Sequence, residues 1–430
     1  MKRIELEITA RSPLAIGQRK PGGSVSEASD YIPGTVIRGA VAAQMLRCSE
    51  DTPTPGDDFH KLFLNETAAI FSDGYCAIAT IEDPNSQTLH HVVKEGDIRV
   101  VPASALSSKT KGGFKPESGV FDSLIDSFCA RAHGHFYTPE DLDGNLADAF
   151  SGFYSVGTEN GTPRYYSHTL SKRLLTRVGI NRRRATAQDE MLYSIEVMDE
   201  SHPGKQQPVS TVYRSSILVR DDEEALGESF GTFVKERCQN LRLGGSASRG
   251  LGKVEIAVVS ETVIDEAKSN HKREIEQRIL SFNRKLKERW QLWGALGEAP
   301  ANLPNEQLFF TIGFQSDAIL KEGWQRTTVI SPEMLSSWLD EKGNYQLHAA
   351  YTSYGYRSGW NAAWGLPKDT ELVTNRGSVL LFGISEINQD ALYEKLSALE
   401  REGIGEKCAE GYGRVTVCDP FHEIMRERAV

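Results

Sequence analysis

Two glycine-rich segments are the strongest candidates for a ligand-binding site in this sequence. Residues 243–256 align without a gap on residues 404–417, and each copy places a basic residue, Lys253 or Arg414, directly after its last glycine. Glycine adopts left-handed backbone conformations that other residues avoid, and the N–H groups of such turns bind phosphate oxygens. We therefore predict that at least one copy contacts phosphate. The alternative is a tight helix-to-strand turn without a ligand.

The two copies differ in charge at one position. Arg249 precedes Gly250 in the first copy, whereas Glu410 holds the equivalent place in the second. Arginine attracts phosphate, so we predict that the first copy contacts the ligand and that the second supports the fold or a subunit interface. Neither copy has the spacing of a nucleotide-binding P-loop. The contacts predicted in the first copy are Gly244, Gly245, Arg249, Gly250, Gly252 and Lys253.

A basic segment lies between Glu159 and Asp189, with no acidic residue inside it. Guanidinium groups match phosphate oxygens and stack on unpaired bases, which favours single-stranded RNA over a duplex. The alternative is a solvated segment whose charges pair with acidic residues elsewhere. The predicted RNA contacts are Lys172, Arg173, Arg177, Arg182, Arg183 and Arg184. The apolar residues expected to anchor this segment on the core are Leu174, Leu175, Val178 and Ile180.

An aromatic segment follows at residues 351–360. Tyr354 and Trp360 alternate there with Arg357. Stacking of a base on an aromatic side chain contributes about 1–3 kcal/mol, so these three residues are predicted RNA contacts. Tyrosine and tryptophan also dominate protein interfaces, and a core hairpin or a protein interface is an equal alternative.

Catalytic and metal-binding patterns are weak in this sequence. Cys129, His133 and His135 supply up to three zinc ligands, but the paired knuckles of a zinc site are missing. Clustered carboxylates for metal-dependent cleavage and a Gly-x-Ser-x-Gly signature are also missing. We therefore predict no catalytic residue, no metal and no cofactor.

Composition indicates a globular cytoplasmic protein. The chain has 430 residues, a net charge of −10 and 39% hydrophobic residues, with no apolar run long enough to span a bilayer. The acidic total argues against a protein that coats nucleic acid over its whole surface but permits a local basic groove. The six scattered cysteines do not indicate a disulfide framework.

Hydrophobic periodicity indicates a duplicated supersecondary unit. Each glycine segment follows a helical pattern, at residues 223–240 and 390–402, and runs into an alternating strand. Each half opens with a strand, at residues 3–10 and 308–314, and a helix at 36–47 follows the first. The predicted fold class is α+β, with tandem ferredoxin-like (RRM-like) domains and a large insertion in the first.

The same patterns predict the domain boundaries. The first domain covers residues 1–260, with the insertion at about 48–175 because a plain loop of that length is uncommon. Residues 261–300 form a charged helical linker whose tryptophans pack against a domain. The second domain covers residues 301–430.

Several motifs together resemble a known family. The opening Ser12–Gly17 and the segment Tyr31–Gly39, which reads Tyr-Ile-Pro-Gly-Thr-Val-Ile-Arg-Gly, look like the start of the RAMP superfamily of CRISPR-associated proteins. The glycine segments resemble the motif near the end of each RAMP domain. The chain is further similar to the two-domain RAMP subunit of subtype III-D, through segments 101–106, 119–122, 181–184, 357–368 and 377–379.

This resemblance implies a function and partners. It implies a non-catalytic subunit that binds CRISPR RNA, caps the 5′ handle of the guide, and docks the polymerase-like large subunit and the backbone RAMP subunits. It also implies that Arg38 and the first glycine segment lie on the RNA-facing side. No membrane partner is expected.

Two other functions remain open from the sequence. A metal-independent RAMP endoribonuclease needs a general acid or base near the scissile phosphate, for which His60 and His168 are the candidates. A standalone RNA-binding protein would bind tightly as a monomer, which the acidic net charge disfavours.

Overall fold

The computed structural model describes most of the chain. The residues outside the description are 19–26, 50–51, 66–67, 83–87, 94–96, 111, 115–118, 141–143, 160, 182–185, 204–206, 221–224, 297–306, 340–342, 362–363 and 386–388. The described α-helices are α1 Gly34–Cys48, α2 Leu124–Ala132, α3 Ala225–Arg237, α4 Ile264–Gly294, α5 Pro332–Leu339 and α6 Gln389–Glu402.

The first half of the chain forms an antiparallel sheet with α1 and α3, which we call the N-terminal unit. Its labelled strands are β1 Lys2–Ala10, β2 Ile70–Phe71, β3 Tyr75–Cys76, β4 Lys172–Asn181, β5 Thr186–Met198, β6 Val212–Val219, β7 Asn240–Arg242 and β8 Lys253–Val263. The sheet order is β7-β8-β1-β6-β2, with β3 also paired to β6, while β4 and β5 pair with each other in a separate two-stranded sheet. Ile4, Leu6 and Ile8 alternate into the core, as a strand covered on one face requires.

The second half repeats this arrangement with α5 and α6, which we call the C-terminal unit. Its labelled strands are β9 Gln307–Phe314, β10 Asn344–Tyr351, β11 Tyr354–Arg357, β12 Glu371–Thr374, β13 Val379–Ser385 and β14 Val415–Val417. The sheet order is β10-β13-β9-β14, and β11 pairs with β12 as a separate ribbon. The strand pairs of both sheets are antiparallel. The prediction of an α+β chain rich in antiparallel sheet is confirmed.

Helix α4 belongs to the core of the C-terminal unit. Ile275, Ile279, Phe282 and Leu286 recur every three or four residues, so they share one helical face, and all four are buried in the same cluster as β9 and β13. Trp290 packs there too, at 9% exposure. The sequence predicted a charged helix within residues 261–300 whose tryptophans pack against a domain, and α4 covers residues 264–294 of that range.

Residues 78–168 add two small sheets to the N-terminal unit. One contains Ile78–Glu82, Thr88–Val92, Arg99–Val100, Phe153–Glu159 and Thr162–His168, and the other contains Ala105–Ser108, Val120–Asp122 and Ala147–Ala149. The other short strands of the chain are Gly17–Gln18, Glu27–Ala28, Ser201–His202, Val209–Ser210, Leu320–Glu322, Gln325–Thr327, Trp360–Asn361 and Leu366–Pro367. Val120 exchanges two backbone hydrogen bonds with Val430, at 2.7 and 2.9 Å. The inserted region is thereby joined to the C-terminal unit.

A buried ion pair fixes α2 against α4. The Asp126 carboxylate is 1% exposed and accepts hydrogen bonds from Arg289 Nε at 2.6 Å and Nη2 at 2.8 Å. Trp293 Nε1 donates a third, at 2.8 Å. This bidentate geometry satisfies both carboxylate oxygens in a place that water does not reach.

We predict that Arg289→Ala is strongly destabilising, because it leaves the Asp126 charge buried without its guanidinium. The free energy of unfolding should fall by about 3–5 kcal/mol, measured by chemical denaturation. The control is Lys285→Ala on the same helix, whose partly exposed ammonium pairs with Glu288 at 3.2 Å. That control should change stability by no more than about 0.5 kcal/mol. Equal losses in the two variants would contradict a special role for the buried pair.

Candidate nucleic-acid interface

The basic segment forms the first strand of the long ribbon β4–β5. Leu174, Val178 and Ile180 are 60%, 47% and 66% exposed. The prediction that these residues anchor the segment on the core, together with the half-buried Leu175, is wrong for the three exposed ones. Side chains of a strand alternate between its two faces, and among the described residues no second sheet or helix covers the face that carries Leu174, Val178 and Ile180.

The basic side chains at the base of this ribbon are paired. Lys172 Nζ bonds the Asp30 carboxylate, and it donates to the Ala28 carbonyl at 2.8 Å. Arg173 bonds Asp199 at 2.6 Å and Glu200 at 2.9 Å. The alternative of internally paired charges therefore applies to these two residues. Arg182, Arg183 and Arg184 lie outside the described residues.

The first glycine loop, residues 243–253, lies against the other face of the ribbon. Arg249 Nη1 donates to Tyr193 Oη at 2.7 Å, and Arg177 Nη1 donates to the Arg249 carbonyl at 3.3 Å. Lys253 is exposed and follows the loop. The structure thus brings together Arg177, Arg249 and the glycines, which the sequence predicted as separate RNA contacts, and adds Tyr193, which it did not predict. Tyr193 lies beyond the basic run and stands in no motif.

The turns of this loop depend on glycine at defined positions. Gly244, Gly250 and Gly252 have φ of 82°, 86° and 83°, a region that costs other residues free energy. A Cβ on Gly244 would also stand 2.6 Å from the Ala15 carbonyl oxygen. Gly245 N–H donates to the same oxygen at 2.8 Å.

The second glycine loop, residues 404–414, has the same backbone but a different neighbour. Its Gly411 is buried against the start of α1, where Gly34 Cα lies 3.2 Å from the place of a Gly411 Cβ. Glu410 accepts a hydrogen bond from Lys368 Nζ at 2.7 Å. Lys368 Nζ also bonds Thr35 Oγ1 at 3.0 Å. The second loop therefore holds the Pro-Gly-Thr motif of the other unit.

Arg38 lies beside this second loop. Its guanidinium bonds the Phe63 carbonyl and stands 5.8 Å from the centroid of the Phe63 ring. Burial lowers the pKa of Arg38, and the charge of Glu410 partly opposes that shift. An RNA contact for Arg38 stays a prediction.

The aromatic segment forms the ribbon β11–β12. Tyr354 and Trp360 are 64% and 56% exposed, so their rings are available for stacking, and Tyr356 is exposed beside Tyr354. Arg357 is committed elsewhere, because its Nε donates to Asp317 Oδ2 at 2.6 Å in a buried pair. The prediction of stacking aromatic residues fits the exposure of Tyr354 and Trp360.

The basic and aromatic ribbons are the same structural element in the two units. Leu14 forms an isolated bridge with Met198 at the end of β5, and Ala318 forms the matching bridge with Thr374 at the end of β12. Each ribbon therefore leaves its unit just before the third core strand and turns back beside the glycine loop. The sequence did not reveal this correspondence, because the ribbons differ in length and share no motif.

A buried polar cluster joins the two units. Asp73 Oδ1 accepts the Gly34 N–H at 2.8 Å, and Tyr31 Oη donates to Asp317 Oδ2 at 3.2 Å. The Arg376 guanidinium lies 4.4 Å from the centroid of the Tyr31 ring. Burial raises the pKa of Asp73 to about 7, although the Gly34 N–H favours the charged form. No local motif in the sequence marks these residues.

A cleft of about 710 Å³ opens beside this cluster, between the ribbon β11–β12 and the inserted sheet that contains Phe153 and His168. It is large enough for a nucleotide-sized group and combines rings with charged side chains. Its lining includes Asp30, Phe153, His168, Tyr354, Tyr356 and Arg376.

The residues considered for zinc or acid–base chemistry are dispersed. His133 packs 4.7 Å from Trp290 and His135 packs 6.1 Å from Trp293, measured between ring centroids. Among the residues that the structure describes, no three His, Cys, Asp or Glu side chains group as metal ligands. His168 is buried with its Nε2 2.8 Å from Ser155 Oγ. His60 begins a short π-helix, and its backbone N–H donates to Asp57 Oδ1.

Fold and surface together define an α+β protein of two similar antiparallel units, each with a projecting ribbon beside a glycine loop. The chain belongs to the RAMP superfamily, whose family model matches residues 7–255. A search of curated proteins finds no match. No helix among the described residues is long and apolar enough to cross a membrane.

The solved structures that match this chain have low identity to it. One type III-B Cmr-beta structure bound to cognate target RNA matches at 12% identity, covering 96% of this chain and 96% of that chain, with a TM-score of 0.38. A second, bound to target RNA and AMPPnP, matches at 11% identity, covering 92% and 93%, with a TM-score of 0.36. Oligomeric Cmr4 from Pyrococcus furiosus matches at 14% identity, covering 61% and 98%, with a TM-score of 0.26.

We predict that Asp73 makes stability fall as pH rises through neutrality. Its pKa is raised from 3.8 to about 7 in the folded chain, so the folded state holds a proton that the unfolded chain loses. The free energy of unfolding should therefore decline by several kcal/mol between about pH 4 and pH 7. Asp73→Asn should remove that slope, because a neutral amide still accepts the Gly34 N–H. Urea denaturation across this range measures it, and Asp58→Asn, at an exposed carboxyl, controls for loss of a charge. An unchanged slope in Asp73→Asn would refute the assignment.

Proposed function

We propose that this chain is a non-catalytic RNA-binding subunit of a type III CRISPR effector complex. The observation that carries the proposal is the exposed ribbon β4–β5, where Arg177 lies directly opposite Tyr193. Guanidinium groups beside an aromatic ring bind phosphates and stack on unpaired bases. Membership of the RAMP superfamily supports the CRISPR assignment.

The finer assignment rests on the motif resemblance. The subunit would be of subtype III-D, would cap the 5′ handle of the guide, and would dock the polymerase-like large subunit and the backbone RAMP subunits. The segments that support this choice are 101–106, 119–122, 181–184, 357–368 and 377–379.

The proposed architecture is a tandem pair of ferredoxin-like domains. In each unit the chain runs strand, helix, strand, strand, helix, strand, and the first strand lies between the third and the fourth in the sheet. That order is the split β-α-β arrangement. The proposed boundaries are 1–260 and 301–430 with a linker at 261–300, and α4 contributes its buried face to the second domain.

The RNA would follow the side of the molecule on which the two ribbons project. Arg177 contributes charge on the first ribbon, and the exposed rings of Tyr354 and Trp360 offer stacking platforms on the second. The cleft beside the second ribbon would lie along the same path. An acidic chain with one such path would bind RNA mainly within its complex, since its net charge repels phosphate elsewhere.

The alternative to the non-catalytic assignment is RNA cleavage with His60 or His168 as the general base. A general base must reach the proton that it removes, and His168 lines the cleft with its Nε2 2.8 Å from Ser155 Oγ. Incubation of the pure chain with repeat RNA in the absence of metal tests the point. Specific cleavage that His60→Ala or His168→Ala abolishes would overturn the non-catalytic assignment.

We predict that the chain, co-expressed with its genomic neighbours, co-purifies with RNA that has one uniform 5′ end. Handle capping protects a fixed end, so sequencing of the retained RNA should show a single 5′ terminus. A ragged end, or purification without RNA, would contradict handle capping.

We further predict that Arg177→Glu weakens RNA retention and lowers the slope of log affinity against log salt by about one, because it removes one phosphate contact. Tyr354→Ala should cost about 1–3 kcal/mol of binding with little change in that slope. Filter binding of the assembled complex at several salt concentrations measures both. Arg284→Glu, at an exposed arginine of α4, is the matched control and should bind like the parent. An effect of Arg284→Glu as large as that of Arg177→Glu would remove the case for a specific path.

A further inference from the structure

The two glycine loops are built alike down to their individual hydrogen bonds. Ser246 and Lys407 enter the tips with φ of 57° and 58°, which is rare outside glycine. In the first loop, the N–H groups of Gly245 and Gly252 donate to the carbonyls of Ala15 at 2.8 Å and Pro13 at 2.9 Å. In the second loop, the N–H groups of the equivalent Glu406 and Gly413 donate to the carbonyls of Ile319 and Asp317, both at 2.9 Å. Two loops with one geometry present the same shape at their tips.

The tip of each loop is also braced by the ribbon of its own unit. Arg249 bonds Tyr193 on the first ribbon, and Glu410 bonds Lys368 near the end of the second. Loop and ribbon therefore form one continuous surface in each unit, which we call the grip.

The grip of the C-terminal unit is occupied within the chain. It holds the first turn of α1, with Gly411 against Gly34. A Cβ on Gly34 would stand 2.9 Å from the Glu410 carbonyl oxygen and would overlap that of Phe71. Only a helix that opens with glycine fits this closely, which explains the glycine of the Pro-Gly-Thr motif.

The grip of the N-terminal unit is open among the described residues. Ser248, Arg249 and Gly250 are exposed, whereas the equivalent Ala409, Glu410 and Gly411 are covered. Nothing that the structure describes lies within 4 Å of the place of a Gly250 Cβ. The tip is therefore preformed and unoccupied.

We propose that the tip of the first glycine loop docks the start of the first helix of a different RAMP-superfamily subunit, in the way that the second loop docks α1. The inference rests on the proposed function, because it needs an assembly of such subunits. It assigns this tip to protein rather than RNA and leaves the RNA path on the ribbons.

The charge at the tip specifies the partner further. Glu410 in the occupied grip faces Lys368 and Thr35, whereas Arg249 takes that position in the open grip. A partner helix with a glycine at its first position and a carboxylate within its first turn would complement Arg249 and suit the positive end of the helix dipole.

A second copy of this chain does not meet these requirements. Its α1 start is already covered by its own second loop. Its other equivalent helix, α5, opens with Pro332, and the Cβ of proline takes the space that Gly34 leaves empty. The partner is therefore a different subunit.

Site-specific photocrosslinking within the co-purified complex tests the proposal. A small diazirine side chain is placed at Ser248 in the open tip, and in a separate variant at Ala409, its counterpart in the occupied tip. The Ala409 variant should crosslink within the chain to the start of α1, which validates the geometry. The Ser248 variant should crosslink to another RAMP subunit, at the segment that opens its first helix after Pro-Gly.

Arg249→Glu should lower the Ser248 crosslink to that subunit about tenfold, as expected for loss of a close interfacial charge pair, while Arg284→Glu leaves it unchanged. A Ser248 crosslink to RNA would overturn the docking proposal and favour an RNA contact at the loop, with the proposed function intact. Absence of any Ser248 crosslink while Ala409 crosslinks would also overturn it. Uniform RNA ends in the same preparation report on the proposed function separately.

Discussion

The contact between Gly34 and Gly411 is the constraint on which the rest of the molecule depends. Two backbones approach there without side chains, so the start of α1 enters the second glycine loop and the two units take one fixed relation. The polar cluster of Asp73, Asp317 and Tyr31 is buried because that approach closes over it.

Duplication followed by divergence accounts for the division of roles. One loop carries Glu410 and is used within the chain, while its twin carries Arg249 and stays open. One ribbon is basic and long, and the other is short and aromatic. One supersecondary unit therefore occurs twice with different side chains on its loop and ribbon. One copy joins the two units of the chain, and the other presents an exposed surface, without any additional secondary-structure element.

Periodicity and glycine spacing were sufficient to predict the strands β1, β8, β9 and β14 and the helices α1, α3, α4 and α6, because those features are local. The contacts of the site were not, because they arise between distant segments. Leu174 was expected to be buried from its type alone, yet a free ribbon has no layer to cover it. Asp73 and Arg376 gained their roles from burial between the units. Arg173 was predicted to contact RNA, but the fold brings Asp199 and Glu200 beside it and they pair with its guanidinium.

The pairing of Val120 with Val430 has a consequence for how the chain folds during synthesis. The strand Val120–Asp122 is made early, but its outer edge is completed only when the end of the C-terminal unit arrives. Until then an unpaired strand edge and the apolar side of α2 stay exposed to the cell, which invites aggregation or a holding chaperone. The N-terminal half would therefore complete its fold only after the C-terminal unit is synthesised. Because Val120 and Val430 are far apart in sequence, forming this pairing also makes folding slow.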